Sequence, residues 1–370
     1  MTDNINKNQR LCGIDLLRII ATLMVITLHV LGLGGVLNNL SMNTYKYYMC
    51  WSIESLCYCA VDIFGLITGY FYVDKYISLK KIIKLWLVVV FYCVIISLFF
   101  LIRSPSKVNI ISLIKSFLPV TFSKHWYFKS YFLLYLSVPF INKAINSFNA
   151  KILSTYIFII FITCSIMQTI YMKTLFSFSI LLYMYLIGAY IKKYENDYTI
   201  FRLDTMKYFL ILVLATFISM IPRLLNFFVP NLKLGGGGLL RYHSPCMIVQ
   251  AISLLLLFKR INIKNFLLKK VITIISGSCF SIYIVHMEEH IFNSFIENRF
   301  TATTELSTFI FLIRIHAIIL LIFVTLFFTD LIRKYLFRFF MFDKLINVIY
   351  KLLKLNIFNN ILFIDIENVK

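Results

Sequence analysis

Apolar runs of about 20 residues, the length that crosses roughly 30 Å of hydrocarbon as a helix, recur along this entire chain, and no other feature narrows its possible folds as far. They lie near 14–34, 49–72, 82–102, 126–142, 152–171, 174–191, 207–228, 243–258, 271–293 and 310–332. The chain has 370 residues and is 60% hydrophobic and 14% charged. A water-soluble domain is nearer about half apolar and about a quarter charged. The expectation is therefore an all-α polytopic membrane protein with about ten transmembrane helices.

Lysine and arginine sort by loop. Lys75, Lys80, Lys81, Lys84, Lys143, Lys151, Lys192, Lys193, Arg202, Lys207, Lys259, Arg260, Lys264, Lys269 and Lys270 fall on one side, together with the basic residues of both tails. The opposite loops hold fewer, among them Lys46, Arg103, Lys173, Arg223 and Arg299. This bias places both termini in the cytoplasm and favours an even number of spans. It also accounts for most of the +21 net charge, because anionic inner-leaflet lipid attracts such loops, so no nucleic-acid partner is expected.

The eight cysteines form neither C-x-x-C nor C-x-x-C-H, and neither a metal site nor a disulfide framework is indicated. The first run follows a polar N-terminus without a small-residue cleavage site, so it reads as a retained span. Loops and tails are too short for a fused soluble domain, and no fixed-period repeat or inverted halves stand out. The "GGGG" at 235–238 lacks the Lys-Ser/Thr ending of a phosphate cradle and reads as a flexible hinge. Two regions are expected: 1–332, a transmembrane domain, and 333–370, a basic amphipathic cytoplasmic tail lying in the inner interface.

Polar side chains interrupt the apolar runs. The first, "GIDLLRIIATLMVITLH", carries Asp15, Arg18, Thr27 and His29. At about 100° per residue, eleven steps from Arg18 to His29 come within about 20° of three whole turns, so both share one face about 16 Å apart. Asp15 stands three positions before Arg18 and can pair with it. Arg18 snorkelling to headgroups and His29 bonding a neighbouring helix would also satisfy this pattern. Other spans contribute as well: Asp62 and Thr68 in the second, His125, Trp126 and Tyr127 at the start of the fourth, Ser278, Tyr283, His286 and Glu288 in the ninth, and Arg314 and His316 in the tenth. Ionisable groups within spans normally face the interior, pair, or mark a pathway.

Taken in order, these elements resemble the acyltransferase-3 family of integral membrane O-acyltransferases. Asp15, Arg18 and His29 match its Asp-x-x-Arg-x10-His signature. "FGLITGY" at 64–70 is similar to its F-x-x-S-G element, "HWYFKSYFLLYLSVPF" to its W-Y-L…Y-L-x-x-P element, and "SGSCFSIYIVH" to its S-x-x-S-x-x-I-Y-x-x-H element. Thr68 stands where serine is common, and the arginine pair usual after the second span corresponds at best to Lys81 and Lys84, which lack the bidentate fork.

The resemblance implies a ten-helix enzyme of the cell (inner or plasma) membrane with no bound cofactor. It would move an acyl group, usually acetyl from acetyl-CoA, onto a hydroxyl of a surface glycan or a lipid-linked glycan. Asp15, Arg18 and His29 become the catalytic candidates, and Arg18, Lys81 and Lys84 the donor-binding ones. Arg18 would meet CoA phosphates, or orient the groups that do, with Asp15 fixing its fork. His29 would serve as general base or as a transient acyl carrier, the former preferred. Asp62, Thr68, His125, Trp126, Tyr127, Ser278, Tyr283, His286, Glu288, Arg314 and His316 are the acceptor-binding or supporting candidates. A polysaccharide flippase or polymerase is the alternative, though it should show longer polar faces in many helices or a large outer loop.

Overall fold

The computed structural model describes residues 10–42, 44–75, 77–104, 110–122, 125–171, 177–228 and 238–356, and every regular element among them is helical. In chain order these are α1 (Cys12–Leu28), α2 (Tyr45–Cys57), α3 (Ala60–Tyr72), α4 (Leu79–Arg103), α5 (Ile110–Ser116), α6 (Pro119–Phe122), α7 (Trp126–Ser147), α8 (Ala150–Ile160) and α9 (Met167–Tyr171). They continue as α10 (Ser177–Tyr194), α11 (Thr205–Phe228), α12 (Pro245–Lys259), α13 (Phe266–Ser276), α14 (Cys279–His286), α15 (Glu289–Phe295), α16 (Thr308–Phe339) and α17 (Phe342–Asn356). Most of the glycine run at 235–238, and the chain beyond Asn356, lie outside the described residues.

Seven stretches among the described residues are long and apolar enough to cross a membrane: Cys12–Asn39, Tyr45–Tyr72, Leu79–Arg103, Ala150–Ile170, Thr205–Leu225, Phe266–His286 and Thr308–Phe339. The other three expected runs are helices too, but of a different character. α12 is apolar and has 15 residues. Tyrosines and lysines dilute α7 and α10. α10 tolerates this because it is buried on nearly every side, from Ile180 and Leu181 through Tyr183, Met184, Tyr185 and Ile187 to Ile191. α1 is equally central, whereas α11 and α16 display Phe217, Ile218, Leu320 and Leu321 on their outer faces.

Two expected spans are broken. The second turns at Tyr58–Cys59 between α2 and α3, and the ninth at Gly277–Ser278 between α13 and α14. Interrupted helices at membrane depth persist where the freed backbone is shielded by protein or lines a cavity. The tail also begins later than its charges suggested: α16 runs on to Phe339, a left-handed Met341 (φ 51°) turns the chain, and α17 packs Ile346, Ile349 and Tyr350 against Ile83, Trp86 and Leu87 of α4.

α3 and α10 meet backbone to backbone. A Cβ at Gly69 would overlap the Tyr185 carbonyl, and one at Gly188 would overlap that of Leu66. Small residues allow this approach, which supplies dispersion contacts that lipid cannot outcompete. Gly69→Val is expected to destabilise the fold by about 3 kcal/mol through overpacking. Gly277→Ala, whose Cβ would meet nothing nearer than 3.4 Å, should stay folded. Thermal melting and monodispersity of the two purified variants in detergent decide it; equal melting would refute the account of this seam.

Candidate active site

A cavity of about 490 Å³ runs between α1, α3, α7, α13 and α14, within the size range of small-molecule sites. α1 supplies one stripe of it. Arg18, Thr22, Val25 and His29, spaced four, three and four apart, all line the cavity, so Arg18 and His29 do share a face. Thr22 donates to the Arg18 carbonyl at 2.8 Å, keeping its hydroxyl satisfied within the helix.

One end is ionic. Asp15 is 1% exposed and accepts from Arg18 Nη1 at 2.6 Å, Arg10 Nε at 2.5 Å and Ser276 Oγ at 3.1 Å. A carboxylate so deep is tolerable only with donors around it. The Arg18 guanidinium also lies 5.2 Å from the Phe71 ring centre, and both Arg10 and Arg18 border the cavity.

The other end is built on two histidines. His29 opens a π-helical turn, His29–Leu33, closed by the Gly34 N–H donating to the His29 carbonyl at 2.7 Å. Such turns widen a helix locally and often coincide with functional positions. His29 Nδ1 lies 2.8 Å from His286 Nε2, and His286 Nδ1 lies 2.7 Å from the Ile282 carbonyl oxygen. A carbonyl only accepts, so His286 Nδ1 carries the proton; in a neutral imidazole its Nε2 then accepts, and His29 Nδ1 donates. This network assigns the remaining nitrogen, His29 Nε2, as an unprotonated lone pair. It has no partner among the described residues, and His29 lines the cavity.

Aromatic rings join the two ends. Tyr127, Tyr131 and Tyr135, at successive i, i+4 positions of α7, stack at 5.5 and 4.7 Å between ring centres. Tyr131 donates to Tyr135 at 3.0 Å, and Thr68 meets the Tyr131 hydroxyl at 3.2 Å. Tyr283 packs edge-on to Tyr127 at 5.1 Å and to His286 at 5.9 Å. Its hydroxyl is buried and has no hydrogen-bond partner among the described residues. Trp126 and Tyr242 close the wall with rings 5.5 Å apart.

Of the residues singled out by sequence, Arg18, Thr68, Trp126, Tyr127, Tyr283 and His29 border the cavity, with Asp15 and His286 directly behind it. His125 also stands behind: its Nε2 donates to the Ile284 carbonyl at 2.9 Å and its ring lies against Tyr283. Ser278 accepts from Lys334. Asp62 is fully buried with neither carboxyl oxygen hydrogen-bonded. Others go elsewhere. Glu288 caps α15 through the amides of His290 and Ile291. Arg314 and His316 are exposed on α16, where His316 bonds its own helix at Leu312. Lys84 pairs with Asp343 of α17 at 3.8 Å, and Lys81 lines a separate hollow with Lys80 and Lys84, its ammonium 5.5 Å from the centre of the Tyr72 ring.

Sequence reasoning missed Arg10, Ser276, Tyr72, Tyr131 and Tyr135. The four-residue spacing of tyrosines in "YFKSYFLLY" was a usable signal for one wall. Nothing in the sequence tied Arg10 to Asp15. No group of three or more His, Cys, Asp or Glu able to hold a metal ion occurs among the described residues.

Among curated proteins and among solved structures, no match to the chain is found. The family model for the acyltransferase-3 domain, described as an acyltransferase domain, matches residues 12–341. That span takes in the α1 stripe, the histidine pair and the aromatic wall, and with most of its length matched the chain belongs to the acyltransferase-3 family of membrane acyltransferases.

Proposed function

We propose that this membrane acyltransferase moves an acyl group, acetyl first among them, from acyl-CoA on the cytoplasmic side to a hydroxyl of a cell-surface polysaccharide or its lipid-linked precursor. The observation that carries the reading is the hydrogen bond from His29 to His286, which leaves His29 Nε2 as a base on the wall of a cavity whose other end is cationic.

The reaction uses these residues in sequence. The donor enters at the Arg10 and Arg18 end, its phosphates against the guanidinium groups. Its thin pantetheine arm extends along the α1 face toward His29, about 16 Å from Arg18. The acceptor hydroxyl gives its proton to His29 Nε2 as its oxygen attacks the thioester carbonyl. The Tyr283 hydroxyl, without a hydrogen-bond partner among the described residues, donates to the oxyanion of the tetrahedral intermediate. The carbon–sulfur bond then breaks, and the thiolate takes the proton from His29 Nε2. The ester departs, and free CoA thiol remains. His286 keeps His29 in the tautomer that accepts at Nε2, a positioning role comparable to the residue behind a metal-bound or catalytic imidazole.

Both termini are taken as cytoplasmic, in the cell membrane, on the distribution of lysine and arginine. The stretch after α16, which includes α17, would rest on the inner leaflet. The Trp126 and Tyr242 end then faces the acceptor.

In membranes supplied with labelled acetyl-CoA and glycan, His29→Ala should reduce transfer by about 10³-fold. Unchanged transfer would exclude its role as base. His286→Ala is expected to lower kcat by about 10- to 100-fold while leaving the KM for acetyl-CoA within about twofold, because it acts through His29 and touches no donor atom. Arg18→Lys keeps the charge but loses the fork, so it should raise that KM about tenfold with little change in kcat. A drop in kcat alone would place Arg18 in the chemistry instead.

A further inference from the structure

The basic residues after residue 332 read from sequence as tail charge, yet two of them, Arg333 and Lys334, turn into the protein. Lys334, in the last turns of α16, places Nζ 2.7 Å from Ser278 Oγ and 3.1 Å from Asp330 Oδ2. Asp330 is fully buried and also accepts from Arg333 Nε at 2.7 Å and from Tyr92 at 2.9 Å. Ser278 belongs to the break between α13 and α14, whose preceding residues, Ser276 and Gly277, line the cavity. Ser276 in turn bonds Asp15 at 3.1 Å. Gly277, whose Cβ position would lie 3.7 Å from Lys334 Nζ, stands between Ser276 on the Asp15 side and Ser278 on the Lys334 side, so the two ion networks meet at one turn.

Among the described residues, four cations there, Arg10, Arg18, Arg333 and Lys334, share two carboxylates, Asp15 and Asp330. Positive charge is left over at a cavity mouth. Packing over the turn is ordinary: a Cβ at Gly277 would meet the Thr273 carbonyl at 3.4 Å and Lys334 Nζ at 3.7 Å, so glycine is not demanded at this position. A lysine needed only to reach the headgroups has no reason to hold a serine on the cavity side.

We propose that Lys334, with Arg10 and Arg18, forms an anion site at this mouth that takes the diphosphate of a nucleotide-linked acyl thioester. The inference rests on the donor reading given above and adds Lys334 as a residue that selects for phosphate. Lys334 Nζ keeps Asp330 and exchanges its bond to the Ser278 hydroxyl for one to a phosphate oxygen, while Arg10 and Arg18 meet the neighbouring oxygens from the Asp15 side.

The test is binding of CoA, and of pantetheine, which lacks the diphosphate, to the purified full-length protein in phosphatidylcholine nanodiscs. Lys334→Gln should weaken CoA binding about tenfold and Lys334→Arg no more than about threefold, as expected for a hydrogen bond to a charged group. Pantetheine binding should be the same in all three, and inorganic diphosphate should compete with CoA on the wild type. CoA binding that Lys334→Gln leaves intact overturns the proposal, as does an equal loss for pantetheine, which would mark a structural role. If Lys334→Gln fails to fold, Ser278→Ala gives the decision, since it frees the ammonium without removing it and should tighten or preserve CoA binding; a tenfold loss there would count against the site. Repeating the titration with phosphatidylglycerol separates the two sources of phosphate. Abolition of wild-type CoA binding by that lipid would assign the site to a headgroup and refute the nucleotide. CoA binding that depends on Lys334, without acyl transfer, would defeat the transferase reading and leave this site standing; transfer with Lys334-independent binding would do the reverse.

Discussion

Asp15 is the constraint around which the rest is arranged. A carboxylate buried in the first turn of a membrane helix is costly unless donors surround it, and three elements deliver them: Arg10 from the segment before α1, Arg18 from the next turn of α1, and Ser276 from the end of α13. That convergence fixes the rotation of α1 against α13. With α1 so rotated, the residues at 18, 22, 25 and 29 point the same way, toward the cavity. The ion pair therefore sets where His29 stands, although about 16 Å separates it from Arg18.

The second requirement is that helices with polar faces be kept from lipid. α10 carries several tyrosines, and it is buried nearly all round because glycines at 69 and 188 let α3 lie directly against it. Peripheral helices such as α8, α11 and α16 take the lipid contact with exposed aliphatic and phenyl groups. The division explains why some helices in this protein meet the apolar criterion of a span and others do not. Burial by neighbours replaces burial by hydrocarbon, and it leaves room for hydroxyls along the cavity wall.

Much of this was legible in the residue order. Helical spacing alone put Arg18 and His29 on one face, and the family elements located the strip from Ser278 to His286. Local pattern cannot, however, see partners distant in sequence. Arg10 and Lys334 read as tail charge because only the fold brings them to Asp15 and Ser278. Lys84 read as a donor contact because its charge was visible, while its pairing with Asp343 of α17 was not. The breaks at Tyr58–Cys59 and Gly277–Ser278 were hidden for a different reason. Hydropathy averages over a window, and a two-residue interruption flanked by apolar residues leaves the average unchanged. The tyrosines of α7 were visible too, but their spacing shows only that they share a face, and the fold turns that face to the cavity.

The broken ninth span links the two ends of the site. α14 begins at the break, beside the ionic cluster, and ends at His286, eight residues later, where it meets His29. Eight helical residues span about 12 Å, about three quarters of the roughly 16 Å between Arg18 and His29 on α1. α1 and α14 thus run beside one another, each with a histidine at the end where they meet, while the other end of α1 carries Asp15 and Arg18 and that of α14 lies next to Ser278, held by Lys334 of α16. A continuous helix through Gly277 would close the gap where Ser276 and Gly277 open onto the cavity, and would carry His286 around its axis away from His29. The break, the ionic mouth and the histidine pair are consequently one geometric solution, which holds the ionic and imidazole ends about half the thickness of a bilayer apart.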